Sequence, residues 1–100
     1  MNILIDTSAW IEYFLGSKFG LEVEEYIKTH ELYTSIVTLL ELSYKSDKEG
    51  WKIKEYLDFI KIKSAIIGIK ESSIIEFGKL YNEMRKKEKD FGFADTILLK

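Results

Sequence analysis

The sequence predicts an α/β fold built on a parallel sheet. Three observations carry that expectation. Short apolar runs rich in β-branched residues recur at Ile3–Ile5, Leu32–Ser35 and Ala65–Ile69. Stretches of helical periodicity lie between them, two per interval. Strands that alternate with helices call for parallel pairing, because parallel neighbours need a crossover connection.

The first strand, Ile3 to Ile5, runs directly into Asp6, Thr7 and Ser8. Thr7 and Ser8 are good caps for a helix over Ala9 to Leu15. Trp10 and Phe14, and Ile11 and Leu15, share one face of that helix at i,i+4 spacing. Gly16 is placed to stop it. A second helix is expected from about Gly20 to His30, with Val23, Tyr26 and Ile27 inward. His30 falls at its end, either as a surface residue that suits the helix dipole or as a catalytic group.

Leu32 to Ser35 reads as the second strand. A helix follows from Ile36 to about Lys45. Glu41 is the odd residue within it, because an acid inside an apolar run is exposed, paired with a base, or bound to a metal. Ser46 to Gly50 carries a loop signal. A fourth helix is expected over Trp51 to Ile62, with Ile53, Tyr56, Leu57 and Ile60 at core spacing. The third strand, Ala65 to Ile69, is apolar nearly throughout, as a strand covered on both faces would be. The longest helix is expected from Ser72 to Lys87, capped by Ser72 or Ser73, with Ile74, Phe77, Leu80, Tyr81 and Met84 inward. Its basic end, Arg85 to Lys89, either complements the dipole or meets phosphate. Phe91-Gly92-Phe93 breaks the pattern, and a last helix-like apolar run opens at Ala94 with Asp95 near its start.

Composition narrows the chemistry. The chain has 100 residues, no Cys, one His and a net charge of -2. That length favours one domain. Thiolate and multi-histidine metal sites within one chain are excluded, and most Ser/His or Cys/His nucleophilic schemes go with them. The charge excludes general electrostatic binding of nucleic acid, and leaves a local patch or a metal as the route. No run is long enough for a transmembrane helix and no signal peptide is visible, so a cytoplasmic location is expected.

Acids are therefore the candidates for chemistry. Asp6 ends one strand, Glu41 lies two turns into the helix after the next, and Asp95 opens the last helix. Helix starts after adjacent parallel strands gather at one rim of the sheet. Carboxylates converging there repel one another, and a hard divalent cation relieves the repulsion.

These residues resemble a known family. Ile3-Leu4-Ile5-Asp6-Thr7-Ser8 is similar to the opening motif of PIN-domain ribonucleases. Ser35-Ile36-Val37-Thr38-Leu39-Leu40-Glu41-Leu42 is similar to the second, and Phe93-Ala94-Asp95-Thr96-Ile97-Leu98 to the third. The whole pattern resembles the VapC toxins of toxin–antitoxin pairs. The resemblance implies a three-layer α/β/α fold and RNA cleavage by a metal-activated water. It implies Mg2+ or Mn2+ held by Asp6, Glu41 and Asp95, with Thr7 or Ser8 as a supporting hydroxyl. It also implies a homodimer and an antitoxin whose tail blocks the site. The family pattern continues past the position of Lys100, so residues 1–100 are expected to form a single PIN-like domain that is C-terminally short. The alternative is a nuclease-dead remnant that binds protein or serves as a structural subunit.

Overall fold

The structure is a computed structural model that describes residues 2–91 and 97–99. The elements are β1 (Asn2–Leu4), α1 (Thr7–Leu15), α2 (Lys18–Thr29), β2 (Glu31–Ser35), α3 (Ile36–Glu49), α4 (Ile53–Lys63) and β3 (Ala65–Ile67). A 3-10 turn (Glu71–Ser73) leads into α5 (Ile74–Phe91), and β4 (Ile97–Leu99) is the last strand described. The sheet order is β3-β2-β1-β4. β1, β2 and β3 are mutually parallel, with Ile3 opposite Leu32 and Thr34 opposite Ile66. The chain is thus α/β around three parallel strands, as the alternation of periods requires.

The core lies on the side of the sheet covered by the first four helices. Ile3, Ile5 and Leu32 come from the sheet side, and meet Ala9 and Trp10 of α1, Val23 of α2, Leu42 of α3 and Ile60 of α4. Two crossovers that step the same way along a sheet fall on one face when both are right-handed. Trp10 is fully buried, stacked on Phe14 with ring centroids 5.8 Å apart and edge-on to Tyr13 and Phe59. Its indole N–H donates to Thr34 Oγ1 at 3.1 Å, Thr34 Oγ1 pairs with Ser64 Oγ at 2.8 Å, and Ser64 donates to the Ile60 carbonyl at 2.7 Å. Each buried polar group in this chain of contacts has a partner, which is the condition for burying it cheaply. Gly20 lets α2 cross close to α1, because a Cβ there would overlap the Glu12 carbonyl.

Alternation along β2 puts Thr34 toward this core and Ser35 toward the other face. Ser35 meets Tyr81 of α5. That contact puts α5 across the sheet from α1–α4, consistent with three layers.

Several boundaries differ from the expected ones. Helix α3 runs through Ser46–Glu49, which carried a loop signal, and ends at Gly50. The Ser46 side chain is buried and donates to the Ser43 carbonyl, so polarity here marks a capped helix end. Gly50 supplies the left-handed conformation, φ 80°, that closes it. β3 stops at Ile67 and is not covered on both faces: Ala65 and Ile66 are exposed, as befits an edge strand. Helix α5 begins at Ile74 after a 3-10 turn that starts from Lys70 without a side-chain cap, in place of a cap at Ser72 or Ser73. Ile74, expected inward, is 55% exposed, while Phe77, Leu80 and Tyr81 are half-buried.

The final apolar run also differs. Residues 97–99 form a strand antiparallel to β1, with Ile3 opposite Leu98, and not a helix. Three apolar residues in succession fit either period. Pairing there satisfies backbone groups that β1 would otherwise present as an open edge.

Candidate acidic pocket

The pocket forms where β1 and β2 hand over to their helices. Asp6 follows β1 in extended conformation and caps α1, its Oδ1 accepting from the Ala9 N–H at 2.9 Å. The cap is therefore Asp6, where Thr7 or Ser8 was expected. Those hydroxyl residues are the first and second of the helix, because the strand's extended backbone persists through the acid. Asp6 is buried, at 6% exposure. Capping does not use up a carboxylate, which offers about four acceptor sites.

Ser35 plays the matching part after β2. It caps α3, accepting from the Thr38 N–H at 3.3 Å. Glu41 stands one turn beyond Thr38 and is half-buried. Thr7 Oγ1 donates to Glu41 Oε1 at 2.9 Å, across 34 positions of sequence. A small pocket of about 10 Å³ is lined by Asp6, Thr7, Ser8, Glu41 and Tyr81. All five lining residues carry oxygen in their side chains.

The structure thus brings together Asp6, Glu41, Thr7 and Ser8. Asp95 lies outside the described residues. Among the described residues, no group of three or more His, Cys, Asp or Glu stands close enough to hold an ion. The two carboxylates and their neighbouring hydroxyls still fit a hard divalent cation, because Mg2+ is commonly held by one or two carboxylates and otherwise by water or substrate oxygens.

His30 is elsewhere. It closes α2 at the opposite rim of the sheet, before β2 begins. Its Nδ1 sits 2.7 Å from Thr29 Oγ1 and its ring meets Tyr26 edge-on. Of the basic end of α5, Lys86 is exposed. Tyr81 is the pocket residue that sequence reasoning placed only as inward-facing. Its phenol contacts the Ser35 hydroxyl and lies 3.2 Å from Thr38 Oγ1. The available signal was the spacing of Ser35, Thr38 and Glu41, three polar residues three apart on an otherwise apolar segment.

This is an α/β domain with an acidic pocket at the carboxyl rim of its parallel strands. A family model for the PIN domain matches residues 3–100, and the chain belongs to that family. The PIN domain is a nuclease-type fold. No match to the chain is found among curated proteins or among solved structures.

Proposed function

We propose that the chain is a divalent-metal-dependent endoribonuclease of the VapC type, the toxin of a toxin–antitoxin pair. The observation that carries this reading is the meeting of Asp6 and Glu41 on one pocket through the Thr7 hydroxyl. Asp6 and Glu41 hold Mg2+ or Mn2+, with Asp95 as the third acid. A cation there neutralises phosphodiester charge and lowers the pKa of water, the two things RNA hydrolysis needs. Thr7 orients the Glu41 carboxylate by donating to it, and the helix starts at Asp6 and Ser35 hold both acids on rigid elements. The pocket's small volume suits an ion and a phosphate oxygen, and leaves the bases of the RNA outside. His30, at the far rim, takes no part. The same reading gives the chain an antitoxin that covers the pocket, a homodimeric state and a cytoplasmic location. Among the described residues no helix is long and apolar enough to cross a membrane.

Asp6→Asn tests the reading. Asparagine caps a helix about as well as aspartate. The variant keeps the fold and loses a charged ligand. We expect unchanged melting and loss of Mn2+-dependent cleavage of single-stranded RNA. Undiminished cleavage by Asp6→Asn would end the reading. Calorimetry that finds no uptake of Mg2+ or Mn2+ at millimolar concentration by the unaltered chain would favour the protein-binding remnant.

A further inference from the structure

Tyr81 belongs to none of the three acidic motifs, yet it reaches the pocket from the far side of the sheet. Its phenol oxygen stands between two hydroxyls, Ser35 and Thr38, both fully buried. Ser35 Oγ already accepts the Thr38 N–H as the cap of α3. A phenol has one hydrogen to give and lone pairs to receive, so it can serve both hydroxyls at once. Thr38 lies one turn before Glu41, on the same face of α3. The hydroxyl ring therefore braces the turn from which the Glu41 side chain extends. Thr7 holds the other end of that side chain.

The start of α5 does not look like that of a core helix. Ile74 and Ile75 are exposed, at 55% and 69%. The contact of α5 with this corner of the sheet includes a polar one at the pocket wall, where Tyr81 meets Ser35 and Thr38.

We propose that Tyr81 is a positioning residue: its hydroxyl fixes the first turn of α3 and so sets where Glu41 is presented beside Asp6 and Thr7. The proposal rests on the pocket being a divalent-cation site. Removing a group that holds a ligand in place without touching the ion typically costs about 10–100-fold in metal affinity or activity.

Tyr81→Phe keeps the ring and removes the oxygen. The measurements are Mn2+ affinity by calorimetry, kcat and KM on a single-stranded RNA of mixed sequence, and the melting temperature. The expected result is about a tenfold rise in the Mn2+ dissociation constant and a similar fall in kcat. KM for RNA stays where it was, and the melting temperature falls by several degrees, because the buried Ser35 and Thr38 hydroxyls lose a shared partner. Thr38→Val shifts the same quantities in the same direction, and the double variant is no worse than the worse single one, because both cut one link. Leu80→Ala, a half-buried neighbour on α5, is the control for general loosening. Equal losses in Leu80→Ala and Tyr81→Phe would overturn the proposal, as would a Tyr81→Phe protein that binds Mn2+ and cleaves like the unaltered one. An unaltered chain that takes up no Mn2+ removes the cation site and this role together. Uptake by the unaltered chain with no change in Tyr81→Phe removes only the role of Tyr81.

Discussion

Thr34 and Ser35 are adjacent, both fully buried, and each meets the polar end of an aromatic side chain. Their surroundings could hardly differ more. Thr34 receives the Trp10 indole beneath a cluster of rings and passes the contact on to Ser64. Ser35 meets the Tyr81 phenol at the wall of an acidic pocket. One residue apart on a strand means opposite faces of the sheet. The Thr34 side is closed on itself and belongs to the core. The Ser35 side carries the small oxygen-lined pocket. The contrast predicts that substitutions on the first side cost stability, and that those on the second cost chemistry.

The largest loss should come from Trp10→Ala. Truncating a fully buried tryptophan costs about 3–5 kcal/mol. Against a total of about 5–15 kcal/mol for a domain, that is enough to leave the chain partly unfolded near its working temperature. Urea denaturation followed by circular dichroism measures it. A loss below about 1 kcal/mol would show that the ring cluster is not the centre of the core.

Thr34→Val comes next. The shape is kept, but the Trp10 N–H and the Ser64 hydroxyl both lose their shared partner. A buried group stripped of its hydrogen bond costs about 1–3 kcal/mol. The same urea measurement checks it, and metal uptake should be unaffected. If Thr34→Val instead weakens Mn2+ binding, the two sides of β2 are not separable.

Much of this contrast could be read in the sequence, and the unread part has a physical cause. The β-branched triplet at Ile3–Ile5 and the helical spacing of Trp10 and Phe14 each point to one structure, because both period and residue type agree. The convergence of Asp6 and Glu41 follows from parallel topology once the strands are placed. Glu41, however, reads as a residue on an apolar face when it is compared with Val37 and Tyr44. Its neighbour at i-3, Thr38, is the one that meets Tyr81 of the pocket wall. Helix spacing gives four neighbours for every residue, and sequence does not say which of them point to the same partner. The helix cap was misplaced for a related reason. Asp6, Thr7 and Ser8 are all good caps, and only the length of the strand before them decides which one is used. The turn signal at Ser46–Gly50 was a helix end because Ser46 bonds its own backbone, which propensity alone does not reveal. The strand at Ile97–Leu99 depends on the free edge of β1, a tertiary fact.

Asp6 stands on the seam between the two sides, since its carboxylate caps α1 and lines the pocket. Two substitutions separate those duties. Asp6→Ala should lose about 1 kcal/mol, the usual worth of a cap, along with Mn2+ uptake. Asp6→Asn should lose the uptake alone. Thermal melting and calorimetry on the pair give the answer. Equal melting temperatures would mean that the cap contributes nothing to stability.

The smallest effect is expected at His30. An imidazole is the residue most often recruited as a general base near neutral pH, and this chain has one. Its position argues against that use. It follows α2 at the rim where β2 begins, and the acids gather where β2 ends. Its contacts are to Thr29 and Tyr26, its neighbours in sequence. His30→Ala should therefore shift stability by no more than about 0.5 kcal/mol, the common range for surface positions, and leave RNA cleavage unchanged. Rates measured across neutral pH with both proteins would test it. A rate that falls with the imidazole would place chemistry at the far rim, and the division of the molecule into a structural face and a reactive corner would fail.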